Sequence, residues 1–137
     1  MKIKSLLAGI LILLLFSNAF AQTDFPAFWQ KFKSAVARGD KSAVAGMTKL
    51  PLSMPAFQKK VKDKADLLRR WDQIFNGEAN AAQCFARAEP TKESARRYEI
   101  YCPFKATPND RENAPIRFYF ELTSTGWKFA GLDNINE

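Results

Sequence analysis

Three tyrosines and two carboxylates are the residues in this chain that could move a proton. Abstracting a proton beside a carbonyl needs a carboxylate base and a hydroxyl or protonated acid to steady the oxyanion, both inside a cavity. Tyr98, Tyr101 and Tyr119 are the available hydroxyls, and Asp72 and Glu99 the available bases. Histidine, the commonest general base, is absent from all 137 residues. The pattern directs these carboxylates outward. Asp72 follows Trp71 but lies off the apolar stripe of its helix, and Glu99 is assigned to a surface pair with Arg87 by the strand register given below. Tyr98 alone among the tyrosines is predicted on an inner face, where core packing with a satisfied hydroxyl accounts for it. No catalytic residue is therefore assigned. Metal-ligand groupings, glycine-rich phosphate loops and nucleophile elbows are missing as well, so no metal or cofactor is implied. These absences argue against hydrolase, nucleotide-binding and metalloenzyme chemistry.

Cys84 and Cys102 are the two cysteines. A redox or metal pair would favour a C-x-x-C spacing, which is lacking. An even pair in an oxidising compartment predicts a structural disulfide. Closing that loop is worth roughly 3 kcal/mol in the chain-entropy model.

Two further groupings have both a functional and a plain reading. Lys59, Lys60, Lys62 and Lys64, followed by Arg69 and Arg70, form a basic cluster entering a helix. It suits contact with an anionic surface or an acidic partner. Asp63, Asp66 and Asp72 interrupt it, as on an ordinary solvated helix face. Phe28, Trp29, Phe32, Trp71, Tyr98, Phe118, Phe120 and Trp127 could line an apolar ligand pocket, although their helical or alternating spacing is also what a core face requires.

The elements that must position these residues follow from periodicity. Phe25, Phe28, Trp29, Phe32, Ala35 and Val36 form one wide stripe on a helix over 23–37, with Thr23 or Asp24 as cap, Pro26 in the first turn and Gly39 as left-handed stop. Asp40 caps a shorter helix carrying Ala43, Val44 and Met47, which Pro51 ends. Residues 51–56 read as an irregular crossing, because two prolines block regular pairing. A third helix is predicted over 63–75, with Leu67, Leu68, Trp71, Ile74 and Phe75 on one face and Asn76-Gly77 as its close.

After Gly77 the period changes to two. Pairing 84–89 antiparallel with 97–102 about Glu93 sets Cys84 opposite Cys102, Ala86 opposite Ile100 and Ala88 opposite Tyr98 on one side. On the other side Phe85 meets Tyr101, Arg87 meets Glu99 and Glu89 meets Arg97, so every pair is complementary. A second hairpin pairs Leu122 with Trp127, Glu121 with Lys128 and Phe120 with Phe129. The polar stretch 105–115 between the hairpins reads as a long loop. Helices followed by about four antiparallel strands indicate one α+β domain, with the helices packed on one face of a curved, mainly antiparallel sheet.

The first 21 residues supply an address. Lys2 and Lys4, the apolar run Leu6–Phe16 and the A-x-A site Ala19-Phe20-Ala21 are those of a signal peptide cleaved after Ala21. The run is too short to span a bilayer, which needs roughly 20 apolar residues. Gln22 stands where a lipoprotein anchor would have cysteine. A periplasmic or secreted domain over 22–137 is therefore expected. Its formal charge, +7 for the whole chain, falls by two when Lys2 and Lys4 leave. That excess favours anionic surfaces, and nucleic acid is not an expected partner outside the cytoplasm.

Phe28-Trp29-x-x-Phe32, Gly39-Asp40 followed by Ala43-Val44-Ala45, the Leu67–Phe75 helix, and Phe118-Tyr119-Phe120 with Gly126-Trp127-Lys128-Phe129 together resemble small secreted members of the nuclear-transport-factor-2-like, or cystatin-like, superfamily. The resemblance covers nearly all of 22–137 and is one of layout. It implies a curved sheet wrapped round a helix as a cone, whose mouth often holds a small apolar ligand. Members include isomerases, dehydratases, polyketide cyclases and immunity proteins, so fold analogy does not select an activity. The sequence supports an exported, non-catalytic binding protein for a small apolar ligand or a protein partner, as monomer or homodimer. The alternatives are a small isomerase or dehydratase using the cone, and an inhibitor or immunity-type protein acting through loops 51–56 and 105–115. Binding requires only an apolar lining, whereas catalysis requires a buried carboxylate with a raised pKa.

Overall fold

In the computed structural model, which describes residues 24–55 and 59–137, helix α1 runs Phe25–Arg38. The signal peptide expected over 1–21, with its cleavage site, lies outside the described residues. Asp24 caps α1 by accepting the Ala27 N–H at 3.0 Å. Gly39 stops the helix at φ 63°, a conformation open to glycine at little steric cost. All six stripe residues from Phe25 to Val36 are buried. Asp40 then caps α2 (Lys41–Gly46) through the Ala43 N–H.

A strand follows where an irregular crossing was expected. β1 (Thr48–Ser53) pairs parallel with the last strand, Thr48 opposite Phe129 and Ser53 opposite Gly131, with an irregular register between. The Leu50–Pro51 peptide bond is cis. β1 lies at the sheet edge, and Pro51 falls within the stretch where its pairing with β5 is irregular. Leu52 also bridges Val61 in both directions, at 2.8 and 3.2 Å.

The predicted 63–75 helix is two pieces, α3 (Lys64–Arg69) and α4 (Trp71–Phe75), jointed at Arg70. Asp63 caps the first by accepting the Asp66 N–H. Gly77 closes the second. A Cβ there would lie 2.5 Å from the Gln73 carbonyl oxygen, so no larger residue fits.

The largest correction concerns 84–89. Residues Ala81–Arg87 form a helix, α5, capped by Asn80, whose side chain accepts the Gln83 N–H. Three alanines favour helix and disfavour strand, and this outweighs the short alternation. β2 (Thr91–Ser94) begins after Pro90 and pairs with β3 (Arg97–Cys102), Thr91 opposite Glu99 and Lys92 opposite Tyr98. The predicted pairs Ala86–Ile100, Phe85–Tyr101, Arg87–Glu99, Ala88–Tyr98 and Glu89–Arg97 do not form. The disulfide does: Cys84 on α5 is bonded to Cys102 at the end of β3, their Cα atoms 5.7 Å apart.

β4 (Ile116–Thr123) and β5 (Gly126–Asn134) take the predicted register, with Leu122 opposite Trp127, Glu121 opposite Lys128 and Phe120 opposite Phe129. An irregularity beyond Phe120 brings Tyr119 opposite Gly131. The sheet has five strands in the order β1-β5-β4-β3-β2, antiparallel except for β1. Helices packed on this sheet make an α+β domain. α1 lies on the inner face, its Phe32 ring within 5.1 Å of Phe120 and 5.4 Å of Phe129, centroid to centroid.

The disulfide ties the short α5 to the sheet. Replacing Cys84 and Cys102 by serine is expected to lower unfolding free energy by about 3 kcal/mol, read by urea denaturation. In the unaltered chain, alkylation without reductant should label neither cysteine.

Candidate functional site

The eight aromatics expected to line a pocket lie in the core. Phe28, Trp29, Phe32, Trp71, Phe118, Phe120 and Trp127 are buried, and half-buried Tyr98 stacks on Phe25 at 3.9 Å. Ring meets ring throughout: Trp29 against Phe85 at 5.0 Å, Phe85 against Phe118 at 4.9 Å, Tyr98 against Trp127 at 5.4 Å. None of the eight lines either of the two surface cavities described next.

The first cavity is a cleft of about 290 Å³ between α5 and the 103–114 loop. Phe104, Pro103, Pro108 and Ala88 give it apolar walls, and Arg87, Lys105 and Arg111 supply three cations against Glu89. The loop is held in place at several points. Lys105 donates its backbone N–H to the Glu78 carbonyl at 2.7 Å and its Nζ to the Asn76 carbonyl at 3.0 Å. Arg87 reaches Asn109 Oδ1 at 3.1 Å. Lys105 and Arg111 belong to the 105–115 loop that the sequence offers as a contact loop, since loops on a rigid frame often carry recognition, whereas no signal marks Arg87 or Phe104 as site residues.

The basic cluster divides. Lys59, Lys60 and Lys62 line a second, open groove with Arg69 and Arg70. Lys64 points elsewhere, its Nζ donating to Ser42 Oγ at 3.0 Å and tying α3 to α2.

Among the proton-transfer candidates, Asp72 is exposed as expected. Glu99 is not: it is 3% exposed, and its partners are Arg97 and Arg117 rather than Arg87. Correcting the 84–89 strand to a helix removes Arg87 from the sheet, and the alternation of β3 carries Glu99 onto its outer face beneath two arginines. Arg97 Nε donates to Glu99 Oε1 at 2.8 Å, and the Tyr101 hydroxyl to Oε2 at 2.5 Å. Burial pushes the Glu99 carboxyl up, but these two hydrogen bonds and the charges of Arg117 and Arg97 together hold it below its ordinary 4.5. Glu99 in turn pushes the Tyr101 hydroxyl up. Arg117 grips Asp133 with both Nε and Nη2, at 2.9 and 2.6 Å, and is more basic than usual for that reason. Tyr119 lies under the Arg97 guanidinium at 4.2 Å and across Gly131, where a Cβ would overlap its ring.

Asp66 is the other buried carboxylate, 6% exposed. The Lys62 N–H bonded to it keeps its pKa below the ordinary 3.8, helped by Arg69 and Arg70 and opposed by burial. Both buried acids are thus stabilised as anions inside ion pairs, the reverse of the raised pKa that a carboxylate base needs. Among the described residues no helix is long and apolar enough to cross a membrane, and no cluster of acids or cysteines could hold a metal.

No protein-family model matches the chain, and no curated protein matches it either. Solved structures do. A protein from Sphaerobacter thermophilus is 12% identical over 80% of this chain and 92% of its own, with a TM-score of 0.49. A protein of unknown function with a cystatin-like fold from Nostoc punctiforme is 8% identical over 85% and 90%, with a TM-score of 0.44. A ketosteroid isomerase-like protein from Erwinia carotovora atroseptica is 18% identical over 76% and 86%, with a TM-score of 0.41. The similar structures are cystatin-like and NTF2-like proteins, and at these identities the likeness concerns fold alone.

The depressed pKa values of Glu99 and Asp66 set an acid limit. The unfolded chain takes up these protons at higher pH than the folded one, so stability rises with pH across that interval. Unfolding free energy should be nearly level over roughly pH 5 to 8 and fall as pH drops below 4.5 and then 3.8. Glu99→Gln should lower the plateau and flatten the acid limb. Urea titrations at stepped pH that gave both proteins the same acid slope would refute this assignment.

Proposed function

We propose that the chain is an exported, non-catalytic binding protein that holds a small molecule with an apolar body and an anionic end. The cleft between α5 and the 103–114 loop carries this reading. Its volume of about 290 Å³ sits at the lower end of small-molecule sites, roughly 300–1,000 Å³. Its walls combine aromatic and proline surface with three cations facing a single carboxylate. An apolar lining with a few placed charges fixes a ligand's orientation without supplying chemistry. The aromatic interior is packed ring on ring, so a ligand there would have to displace core. Export is supported by the leader-type residues 1–21 and agrees with a Cys84–Cys102 bridge, since disulfides persist in oxidising compartments.

Native mass spectrometry of the gently purified, detergent-free exported protein tests this directly. The expected result is a chain beginning at Gln22, with excess mass that leaves on denaturation. Phe104→Asp should abolish the bound mass while leaving the melting temperature within a few degrees, because Phe104 is half-buried at the cleft wall. As a direct probe, anilinonaphthalene sulfonate should gain fluorescence on the unaltered protein and lose that gain in Phe104→Asp and in Arg111→Ala. A clean mass together with no fluorescence gain would overturn the cleft as a ligand site.

A further inference from the structure

Five cationic side chains share one groove. Lys59, Lys60, Lys62, Arg69 and Arg70 line an open depression of about 910 Å³ with Pro51, Asp66 and Gln73. Its floor is fixed by hydrogen bonds rather than left to loop motion. Arg70, whose side chain is 15% exposed, donates to the carbonyls of Lys59 and Lys60 at 3.2 Å and to Gln73 Oε1 at 2.8 Å. Asp66 accepts the Lys62 N–H at 3.0 Å. Val61 between them is bridged to Leu52 of β1. The backbone over 59–62 is therefore held at each end and in the middle.

This bracing uses up the groove's only carboxylate. Asp66 is already paired with Arg69 and Arg70. Among the described residues no acid lies within ion-pair distance of Lys59, Lys60 or Lys62, and all three are exposed. Arg69 is 72% exposed and meets Asp66 through Nη2, leaving its other donors for a ligand. Like charges gathered on a fixed backbone repel one another, and a compact multivalent anion relieves that repulsion more fully than a single carboxylate can. Ammonium groups and a guanidinium fork are the donors that suit phosphate oxygens. Among the described residues the groove's lining is cationic and polar apart from Pro51.

We propose that this groove binds a ligand carrying two or more closely spaced phosphate groups. Such groups occur on small soluble polyphosphates and on neighbouring headgroups of an anionic lipid layer. Lys59, Lys60, Lys62 and Arg69 contact the phosphates, while Arg70 and Asp66 hold the backbone that presents them. The inference rests on this groove alone and is independent of the α5 cleft.

The experiment uses the exported chain at low ionic strength with two probes. Titration calorimetry follows pyrophosphate against inorganic phosphate, and co-sedimentation follows phosphatidylglycerol against phosphatidylcholine vesicles. Pyrophosphate is expected to bind at least tenfold tighter than phosphate if the source is soluble. Capture by phosphatidylglycerol vesicles without pyrophosphate binding identifies a lipid source. Lys59→Gln/Lys60→Gln/Lys62→Gln should weaken whichever binding is seen at least tenfold. Lys31→Gln/Arg38→Gln/Lys92→Gln, which removes the same charge from other exposed positions, should leave it within twofold. Thermal melts confirm that both triple variants are folded. Absence of binding to both probes overturns the proposal, as does equal loss in the two variants, which would show attraction to net charge only.

Discussion

The domain is arranged around the seating of one helical stripe against the inner face of the sheet, with Phe32 at its centre. That ring, fully buried, lies within 6.4 Å of the rings of Phe28, Trp29, Phe75, Phe85, Phe120 and Phe129. Four of these six come from outside α1: α4, α5, β4 and β5 each supply one. Ring pairs of this kind contribute ~0.5–1.5 kcal/mol each beyond the area they bury, and they fix relative orientation as well as distance. The short helices α4 and α5 could not stand alone at five and seven residues. Their place is set by Phe75 and Phe85 joining this cluster, and for α5 by the disulfide as well.

The same strands carry a second, polar order on their other face. Alternation puts Ile100, Phe118 and Phe129 inward and leaves Glu99, Tyr101, Arg97, Arg117, Tyr119, Glu121 and Asp133 to cover the outside. Paired positions run across the sheet in rows: Arg97 beside Glu121, Glu99 beside Tyr119, Tyr101 beside Arg117. Glu99 is buried there without entering the core, under side chains that hydrogen-bond it. Removing one member of such a network strands the rest, which is why a buried ion pair constrains a structure more than it stabilises it. Gly131 belongs to this layer as well. It is the gap in β5 across which the Tyr119 ring lies, and a residue with a Cβ would displace that ring from beneath Arg97.

Much of this was legible in the sequence, and the failures have definite causes. The α1 stripe, its caps at Asp24 and Gly39, the β4–β5 register and the cysteine pairing all rest on strong local signals reinforced by long-range complementarity. β1 was hidden because its two inner positions are separated by a proline, and its pairing partner is the last strand in the chain. α5 was misread because Cys84, Ala86 and Ala88 satisfy a period of two over a very short span, while alanine content and the Asn80 cap favour a helical turn. The disulfide follows from compartment and parity, which suffice to pair two cysteines, and it forms although the 84–89 register does not. The same misreading of 84–89 gives Glu99 Arg87 as a surface partner and so hides its burial beneath Arg97 and Arg117. The aromatic residues were rightly ambiguous between core and pocket, and packing decides for core. The groove's five cations are legible as a basic cluster, whereas the cleft is not, because a loop brought against a helix through backbone hydrogen bonds leaves no periodicity.

The α5 correction also explains why a cleft exists at all. Had 84–89 continued as a strand, β3 would be paired along its whole length and its edge would be closed. Instead β2 covers only Arg97 to Glu99, and beyond that point the edge of β3 faces α5, bridged to it by Cys84–Cys102. A helix is wider than a strand and cannot lie in the plane of the sheet, so a gap opens between the two where Tyr101, Pro103 and Phe104 form one wall and Cys84, Arg87 and Ala88 the other. The 103–114 segment is held over it by Lys105, bonded to the carbonyls of Asn76 and Glu78, and by Arg87, bonded to Asn109. The bridge thus does more than restrict the unfolded chain. It fixes α5 to the end of β3 from one side while Phe85 anchors the same helix in the aromatic cluster from the other.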